Sequence, residues 1–378
     1  MTTIAFMDCR LETSARRLTR GGEAVAVEPQ VFDLLVFLAS HAGEALTKEA
    51  ILAEIWDGRA VSDEALTSRI RAARKAIGDH ERRAIRTLHK VGYIFDAEVW
   101  GARVPASAGR HPVEARFLQH EGRSVAWVAE GDGPDLIFPA WWVSNIVEDT
   151  AVPRVAAFFE RLAQGFRLIR YDRPGSGMSD RGARSSDLDD EVSILGAVME
   201  AAGATRAHLY AQSMAVPVSM AFAARHPDRV GRIVTFGGGA SGAEMAPVEV
   251  RDAMVNLVRV HWGIGSRVLS DIFMPSADAE ALEGAARLKR HAADAEVAAD
   301  VLRLAYTLDA GDAVERVRAP VLVMHREGDR AVPARAARAL AARLPDARLA
   351  ILPGDSHLPW EGDDLVAARA NGFFRDGV

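Results

Sequence analysis

Cysteine is nearly absent. Cys9 is the single one in 378 residues, which excludes an intrachain disulfide and argues against a cysteine-based zinc site. No run of about 18 apolar residues occurs, so no membrane span is expected. The first twenty residues lack the apolar centre of a signal peptide, because Asp8, Arg10 and Glu12 interrupt them. The eleven histidines show no His-Glu-x-x-His or similar ligand spacing, so neither a metal nor another cofactor is expected. Lysine is scarce, four against 42 arginines, which reads as genome composition. Together these absences point to a cytoplasmic chain without a membrane partner.

What is present is an ordinary globular balance, 49% apolar and 26% charged, enough to build a core. At roughly 100–200 residues per domain, the length suggests two domains. The stretch Gly-Ala-Arg-Val-Pro-Ala-Ser-Ala-Gly-Arg-His-Pro-Val at 101–113, rich in small residues with two prolines, reads as a linker. It separates a domain at 1–100 from one at 114–378. The formal net charge is −6, most of it beyond residue 100. Against that background Leu66 to Lys90 holds eight basic and two acidic residues. Such a cluster is either a solvated helix face or a polyanion site.

In the first hundred residues, Ile4–Met7 and Ala24–Val27 read as strands. Glu28-Pro29 opens a helix at a position where the missing proline N–H costs nothing, with Phe32, Leu35, Val36 and Ala39 as its buried stripe. Thr47 suits the cap of a second helix, with Ile51, Leu52 and Ile55 inward. Ser62 suits the cap of a third, and Asp63 and Glu64 suit its positive end. On that third helix Leu66, Ile70, Ala73 and Ile77 share one face. Glu64, Ser68, Arg71 and Lys75 share the other, flanked by Thr67 and Arg74. An apolar back with a cationic, hydroxyl-bearing front suits the major groove of DNA. Gly78 is a natural stop, and Arg86 to Phe95 alternates like a hairpin with Gly92 near its tip.

These segments resemble the OmpR/PhoB-type winged-helix DNA-binding domain over about residues 1–98. The resemblance rests on Glu28-Pro29-Gln30-Val31-Phe32-Asp33-Leu34-Leu35, Ile55-Trp56, Leu66 to Ile77, and Ile85-Arg86-Thr87 with Gly92-Tyr93. Lys90 stands where the family often has glycine, which bears on the turn of the wing. The resemblance implies binding of double-stranded DNA. Thr67, Ser68, Arg71, Arg74 and Lys75 would face the major groove, and Arg86 and Lys90 on the wing would meet phosphate or the minor groove. The same fold is also used for protein contact. Regulators of this type carry a receiver domain ahead of the winged helix. None is expected here, so a signal would enter through the C-terminal part, and a homodimer stays open.

From about residue 115 strands and helices alternate. Strands are expected at 124–129, 135–138, 167–171, 208–211, 232–236, 320–325 and 348–352, with helices such as Leu188–Ala202 and Arg335–Arg343 between them. That order argues for a mostly parallel sheet covered by helices on both faces. The chemistry collects at strand ends. Ala211-Gln212-Ser213-Met214-Ala215 follows a strand and opens an apolar helix, the context of a strained turn that lifts a serine hydroxyl above a sheet. Alanine replaces both glycines usual in that turn. Gly328-Asp329 and Gly354-Asp355-Ser356-His357 follow later strands, giving the order Ser213, Asp329, His357 with the base 28 positions after the acid. Asp309 and Asp355 are runner-up acids.

With Asp172-Arg173-Pro174-Gly175-Ser176-Gly177-Met178-Ser179, this set resembles the α/β-hydrolase superfamily over about residues 113–378, on its esterase, haloperoxidase-like and proline-iminopeptidase-like side. The resemblance implies Ser213 as nucleophile, His357 as general base and acid, and Asp329 as the group that orients the imidazole. The N–H groups of Met214 and Trp141 would form the oxyanion hole, although Pro139-Ala140-Trp141-Trp142 stands where relatives carry His-Gly. Residues 240–312 would be a helical lid, and Trp142, Trp262 and Trp360 would line an acyl pocket or belong to the core.

The expected whole is a one-component transcriptional regulator. A DNA-binding winged helix is joined to a serine-hydrolase-like domain that binds and hydrolyses a small acyl ester, lactone or thioester. The alternatives are a cytoplasmic serine esterase whose winged helix serves assembly, and a catalytically dead ligand receptor on the same fold.

Overall fold

The computed structural model describes all residues except 1–2, 13–15, 44, 49–50, 53–54, 56–62, 89–90, 98, 102–113, 363 and 377–378. The expectations for Trp56, Ser62, Lys90 and most of the linker therefore lie outside the described residues. The chain divides into two compact units, Met1–Arg110 and His111–Val378.

The first unit begins with four short antiparallel strands, β1 (Thr3–Phe6), β2 (Cys9–Glu12), β3 (Arg17–Arg20) and β4 (Glu23–Val25). β1 also pairs with β8 (Val99–Gly101). Helix α1 spans Pro29–Ser40 and helix α2 spans Asp63–Ile77. A second sheet joins β5 (Ala45–Thr47) to the hairpin β6 (Ile85–Leu88) and β7 (Gly92–Phe95). Phe32, Leu35 and Ala39 are buried as the stripe required, and so are Leu66, Ile70, Ala73 and Ile77. Strand β1 stops one residue earlier than the sequence suggests, because Met7 turns into the left-handed region at φ 50° and is exposed. Strands β2 and β3 escape the sequence reading because four-residue strands with alternate exposed arginines carry little apolar signal. Gly92 is required by close approach: a Cβ there would overlap the Leu46 carbonyl of β5.

The second unit is one eight-stranded sheet in the order β16-β15-β14-β13-β11-β12-β10-β9. Its strands are β9 (Arg116–His120), β10 (Arg123–Glu130), β11 (Asp135–Phe138), β12 (Arg167–Tyr171), β13 (Ala207–Gln212), β14 (Val230–Phe236), β15 (Val321–Arg326) and β16 (Ala347–Leu352). β9, β10 and β12 pair antiparallel, and every pairing from β12 to β16 is parallel. The crossovers run through helices α3 (Pro153–Leu162), α4 (Leu188–Ala201), α5 (Ala215–Arg225) and α10 (Ala334–Arg343), and α11 (Leu365–Arg375) closes the chain. Between β14 and β15 lie four further helices, α6 (Val248–Val260), α7 (Trp262–Phe273), α8 (Ala279–Ala292) and α9 (Ala295–Thr307). Among the described residues no helix is long and apolar enough to cross a membrane.

His208 on β13 is expected to make the stability of this unit depend on pH. Its Nδ1 accepts the N–H of Arg232 at 3.0 Å, and its ring packs against Phe166 and Phe374. Burial, helped by Arg206 and Arg232, pulls the imidazole from 6.5 down to about 4. The unfolded chain takes up this proton near pH 6.5 and the folded chain only near 4. The stability it contributes is therefore complete above 6.5 and lost as the pH falls toward 4. His208→Asn, whose amide oxygen can accept the same N–H, is expected to flatten the fall in melting temperature over that window. Parallel curves for the two proteins would assign the acid sensitivity elsewhere.

Candidate active site and nucleic-acid face

Strand β13 ends at Gln212 and α5 begins at Ala215, so the chain must reverse within two residues. Ser213 makes the turn at φ 53°, a left-handed conformation that costs a non-glycine residue roughly 1–2 kcal/mol. The turn is held by Ser213 N donating to Phe236 O at 3.0 Å and Val216 N donating to Ser213 O at 3.0 Å. The turn is also packed against a neighbouring glycine run. Gly237-Gly238-Gly239 follows β14, and a Cβ on Gly238 would come within 2.5 Å of the Val216 side chain and 2.7 Å of Ser213 O. The glycine run is plain in the sequence; that it abuts the turn follows only from the strand order.

Ser213 Oγ lies 2.9 Å from Nε2 of His357, whose Nδ1 lies 2.8 Å from Oδ2 of Asp329. All three residues are buried. The His357 loop is fixed by its own N–H, which donates to Phe273 O at 2.7 Å. Asp329 Oδ1 accepts from Ala331 N at 2.8 Å and Val332 N at 3.1 Å. Burial alone would raise the Asp329 carboxyl. The charge and hydrogen bond of His357, then His325 and the Val332 N–H, outweigh it and hold Asp329 below its usual value. His325, unforeseen from the sequence, donates from Nε2 to Val332 O at 2.8 Å, with that nitrogen 3.6 Å from Asp329 Oδ2. Burial keeps it neutral. The runner-up acids bond elsewhere: Asp309 accepts from Gly311 N, and Asp355 accepts from Ser276.

Beyond the relay, Met214 follows the serine and Trp141 follows the end of β11. No acceptor among the described residues takes either N–H. Arg173 braces the Trp141 loop. It is fully buried, donates to Ala140 O at 2.8 Å and Trp142 O at 2.9 Å, and pairs bidentately with the buried Glu191 at 2.5 and 3.0 Å.

A cavity of about 320 Å³ opens beside this loop, with Trp141, Val143, Met274, Leu358 and Trp360 on its wall. Ser213 and His357 are not on that wall; Leu358, the residue after His357, is. Trp360 lines this cavity. Trp142 and Trp262 do not line the cavity. Their rings pack edge to face with centroids 6.2 Å apart, and the Trp262 indole donates to Ala293 O; Trp142 is core and Trp262, partly buried, packs against it. One cluster of metal-ligating types, His120, Glu121 and Asp190, has its carboxylates occupied by Arg123 at 3.1 and 2.6 Å.

In the first unit the front of α2 presents Glu64, Thr67, Ser68, Arg71 and Lys75 to solvent. Arg74 is a correction to the groove-facing set. Its guanidinium turns to the hairpin, donating to Ile85 O at 2.6 and 3.0 Å and to Thr87 Oγ1 at 3.1 Å. The buried Asp79 adds a second tie, accepting from Arg83, Ala84 and Ile85 N–H groups at 2.7–3.1 Å. Arg86 is exposed and paired with Asp96 at 3.0 Å.

The parallel sheet, the strained turn after β13 and the loops that follow the strands make the second unit an α/β-hydrolase, and the hairpin packed behind α2 makes the first a winged helix. Residues 151–363, more than half of the chain, match the serine aminopeptidase S33 family, and the chain belongs to it. Residues 22–95 match the C-terminal domain of transcriptional regulatory proteins. The chain therefore fuses a regulator-type DNA-binding domain to an α/β-hydrolase. It is 29% identical over 218 residues to 2-hydroxy-6-oxononadienedioate/2-hydroxy-6-oxononatrienedioate hydrolase 2 of Pseudomonas putida, covering 53% of this chain and 74% of that one. At the other end it is 32% identical over 83 residues to the transcriptional activator CadC of Escherichia coli K12, which spans 21% of this chain and 16% of that one. An esterase structure from Exiguobacterium antarcticum superposes with a TM-score of 0.62 at 17% identity, over 69% of this chain and all of that one.

Proposed function

We propose that the protein is a one-component regulator whose hydrolase unit binds and hydrolyses a small acyl ester, lactone or thioester and whose winged helix binds double-stranded DNA. The observation that carries the first half is the unbroken relay Ser213–His357–Asp329 at 2.9 and 2.8 Å. Ser213 Oγ attacks the acyl carbonyl and passes its proton to His357 Nε2. Asp329 keeps Nδ1–H in place and stabilises the imidazolium. The N–H groups of Met214 and Trp141 take the negative oxygen. The leaving group departs with the proton from Nε2. Water then repeats the sequence on the acyl-serine, releasing the acid and restoring Ser213. The glycine run beside the turn favours a working site over a dead receptor, because a side chain on Gly238 would press on Ser213 O and Val216. The test is labelling of the full chain by a fluorophosphonate, with a panel of 4-nitrophenyl esters. Absence of both in folded protein would leave the receptor reading.

For the winged helix the supporting observation is the exposed front of α2, with Ser68, Arg71 and Lys75 free of the tie that engages Arg74. Arg71→Ala is expected to cost about 1–3 kcal/mol on the selected sequence and little on others, as loss of a base contact does. Arg86→Ala should weaken all duplexes alike and lower the salt slope by about one phosphate contact. Anisotropy titrations on a library-selected duplex and a scrambled one, at several salt concentrations, separate these effects. Equal losses from both substitutions would contradict the division of roles.

A further inference from the structure

The wall of the cavity beside Trp141 carries charged groups that an apolar acyl pocket does not need, Asp149, Arg154, Arg287, Glu361 and Lys289. Lys289 of α8, one of four lysines in the chain, lies on its wall and is 7% exposed. Its Nζ donates to Ser270 Oγ at 3.0 Å and to Ala285 O at 3.3 Å, and sits 5.3 Å from the centre of the Phe273 ring. Among the described residues no carboxylate comes within ion-pair distance of it. A buried ammonium without a counter-charge is costly, and buried lysines are nearly always paired. Two neutral oxygens and a ring face leave the charge uncompensated and one N–H without an acceptor.

The other charges around the cavity do not supply the partner. Glu361 is taken by Arg154 at 2.6 Å, and Glu283 by Arg290 and Arg267 at 2.9 and 2.7 Å. Asp149, on the same wall, is pushed up to about 7 by burial and then by Asp172, so much of it is neutral at physiological pH. Burial lowers Lys289 to about 7, with Asp149 opposing, and a bound anion would restore its charge. The position is chemically useful. The Phe273 ring that faces Lys289 also faces His357 at 5.1 Å and Trp141 at 6.1 Å, so one ring separates the ammonium from the acyl-transfer centre.

We propose that the ligand of this cavity is a short acyl compound with a carboxylate at the far end of its acyl chain, the carboxylate taken by Lys289 while the acyl carbonyl lies at Ser213. This rests on the serine-hydrolase reading for the carbonyl end and on the cavity alone for the carboxylate end.

The test uses the full chain and two esters that differ at the terminus, mono-4-nitrophenyl glutarate and 4-nitrophenyl valerate. Wild type is expected to prefer the glutarate in kcat/KM by about tenfold or more, the value of a charge-assisted contact in a dry site. Lys289→Met should erase the preference and Lys289→Arg should retain part of it. A wild type that prefers the valerate, or a Lys289→Met variant with the wild-type ratio, overturns the proposal. Fluorophosphonate labelling in the same preparations separates the two readings. If Ser213 labels but the ratio is flat, the carboxylate site is wrong and the hydrolase stands. If nothing labels, sodium glutarate should still raise the melting temperature of wild type and not of Lys289→Met; no rise in either overturns the site. Removal of an unpaired buried charge should not lower the melting temperature of unliganded protein. A marked drop in both Lys289→Met and Lys289→Gln would make the lysine a structural group and also overturn the proposal.

Discussion

Ser213→Ala is expected to lower ester turnover by about 10⁴- to 10⁶-fold, to abolish fluorophosphonate labelling, and to leave ligand binding in place. The size follows from how the serine is built in. Among the described residues its Oγ is the one nucleophile in hydrogen-bond reach of His357 Nε2, and the imidazole is fixed from the other side by Asp329. Without the hydroxyl, only the backbone donors and the cavity remain to act on a bound ester. The fold should not suffer, since alanine at φ 53° carries the same left-handed cost as serine. Ser213→Gly offers an internal control. Glycine relieves that strain, so it is expected to raise stability by about 1 kcal/mol, less the entropy it adds to the unfolded chain, while activity stays lost. Turnover rates with thermal melts of the three proteins check both halves. A Ser213→Ala protein with the wild-type rate would show that the nucleophile lies elsewhere.

The parts legible in the sequence share a physical character. The strands at 135–138 and 167–171 match the observed β11 and β12 because each is a short apolar run bounded by glycine, proline or charged turns. The relay was legible because its members each follow a strand, and strand ends are where a parallel sheet presents side chains. β9 was missed: it is an edge strand with alternate exposure, and Phe117 on it is half exposed. Arg74 was assigned to the groove because helical periodicity gives the face of a residue and not the acceptor its long side chain finds. For Trp142 and Trp262 the sequence left pocket and core open, for the related reason that an aromatic ring fits wall and core equally well in sequence. Lys289 sits in Arg287-Leu288-Lys289-Arg290, which reads as a solvated face. Only the packing of α7 against α8 turns it inward.

Arg173→Met should be the most destabilising substitution in the second unit, by about 3–5 kcal/mol, because it leaves Glu191 buried and unpaired. The more informative effect is on rate. Arg173 bonds the carbonyls on both sides of Trp141, so the direction of the Trp141 N–H is set by a guanidinium 32 residues away in sequence. A donor held this way contributes to an oxyanion site only while its brace is intact, and loss of one such donor costs about 10²- to 10³-fold in kcat. Stability and rate can be uncoupled. Arg173→Met with Glu191→Leu removes both charges and should recover much of the lost stability, as apolar replacement of buried ion pairs does. It cannot restore the bonds to Ala140 O and Trp142 O, so kcat should stay low. Arg173→Lys keeps the charge but not the planar fork, and should fall between in both measures. Urea unfolding and steady-state kinetics on the four proteins complete the cycle. A double variant that regains stability and full kcat together would mean that the Trp141 loop holds its geometry unaided, and Arg173 would then be only half of a buried ion pair.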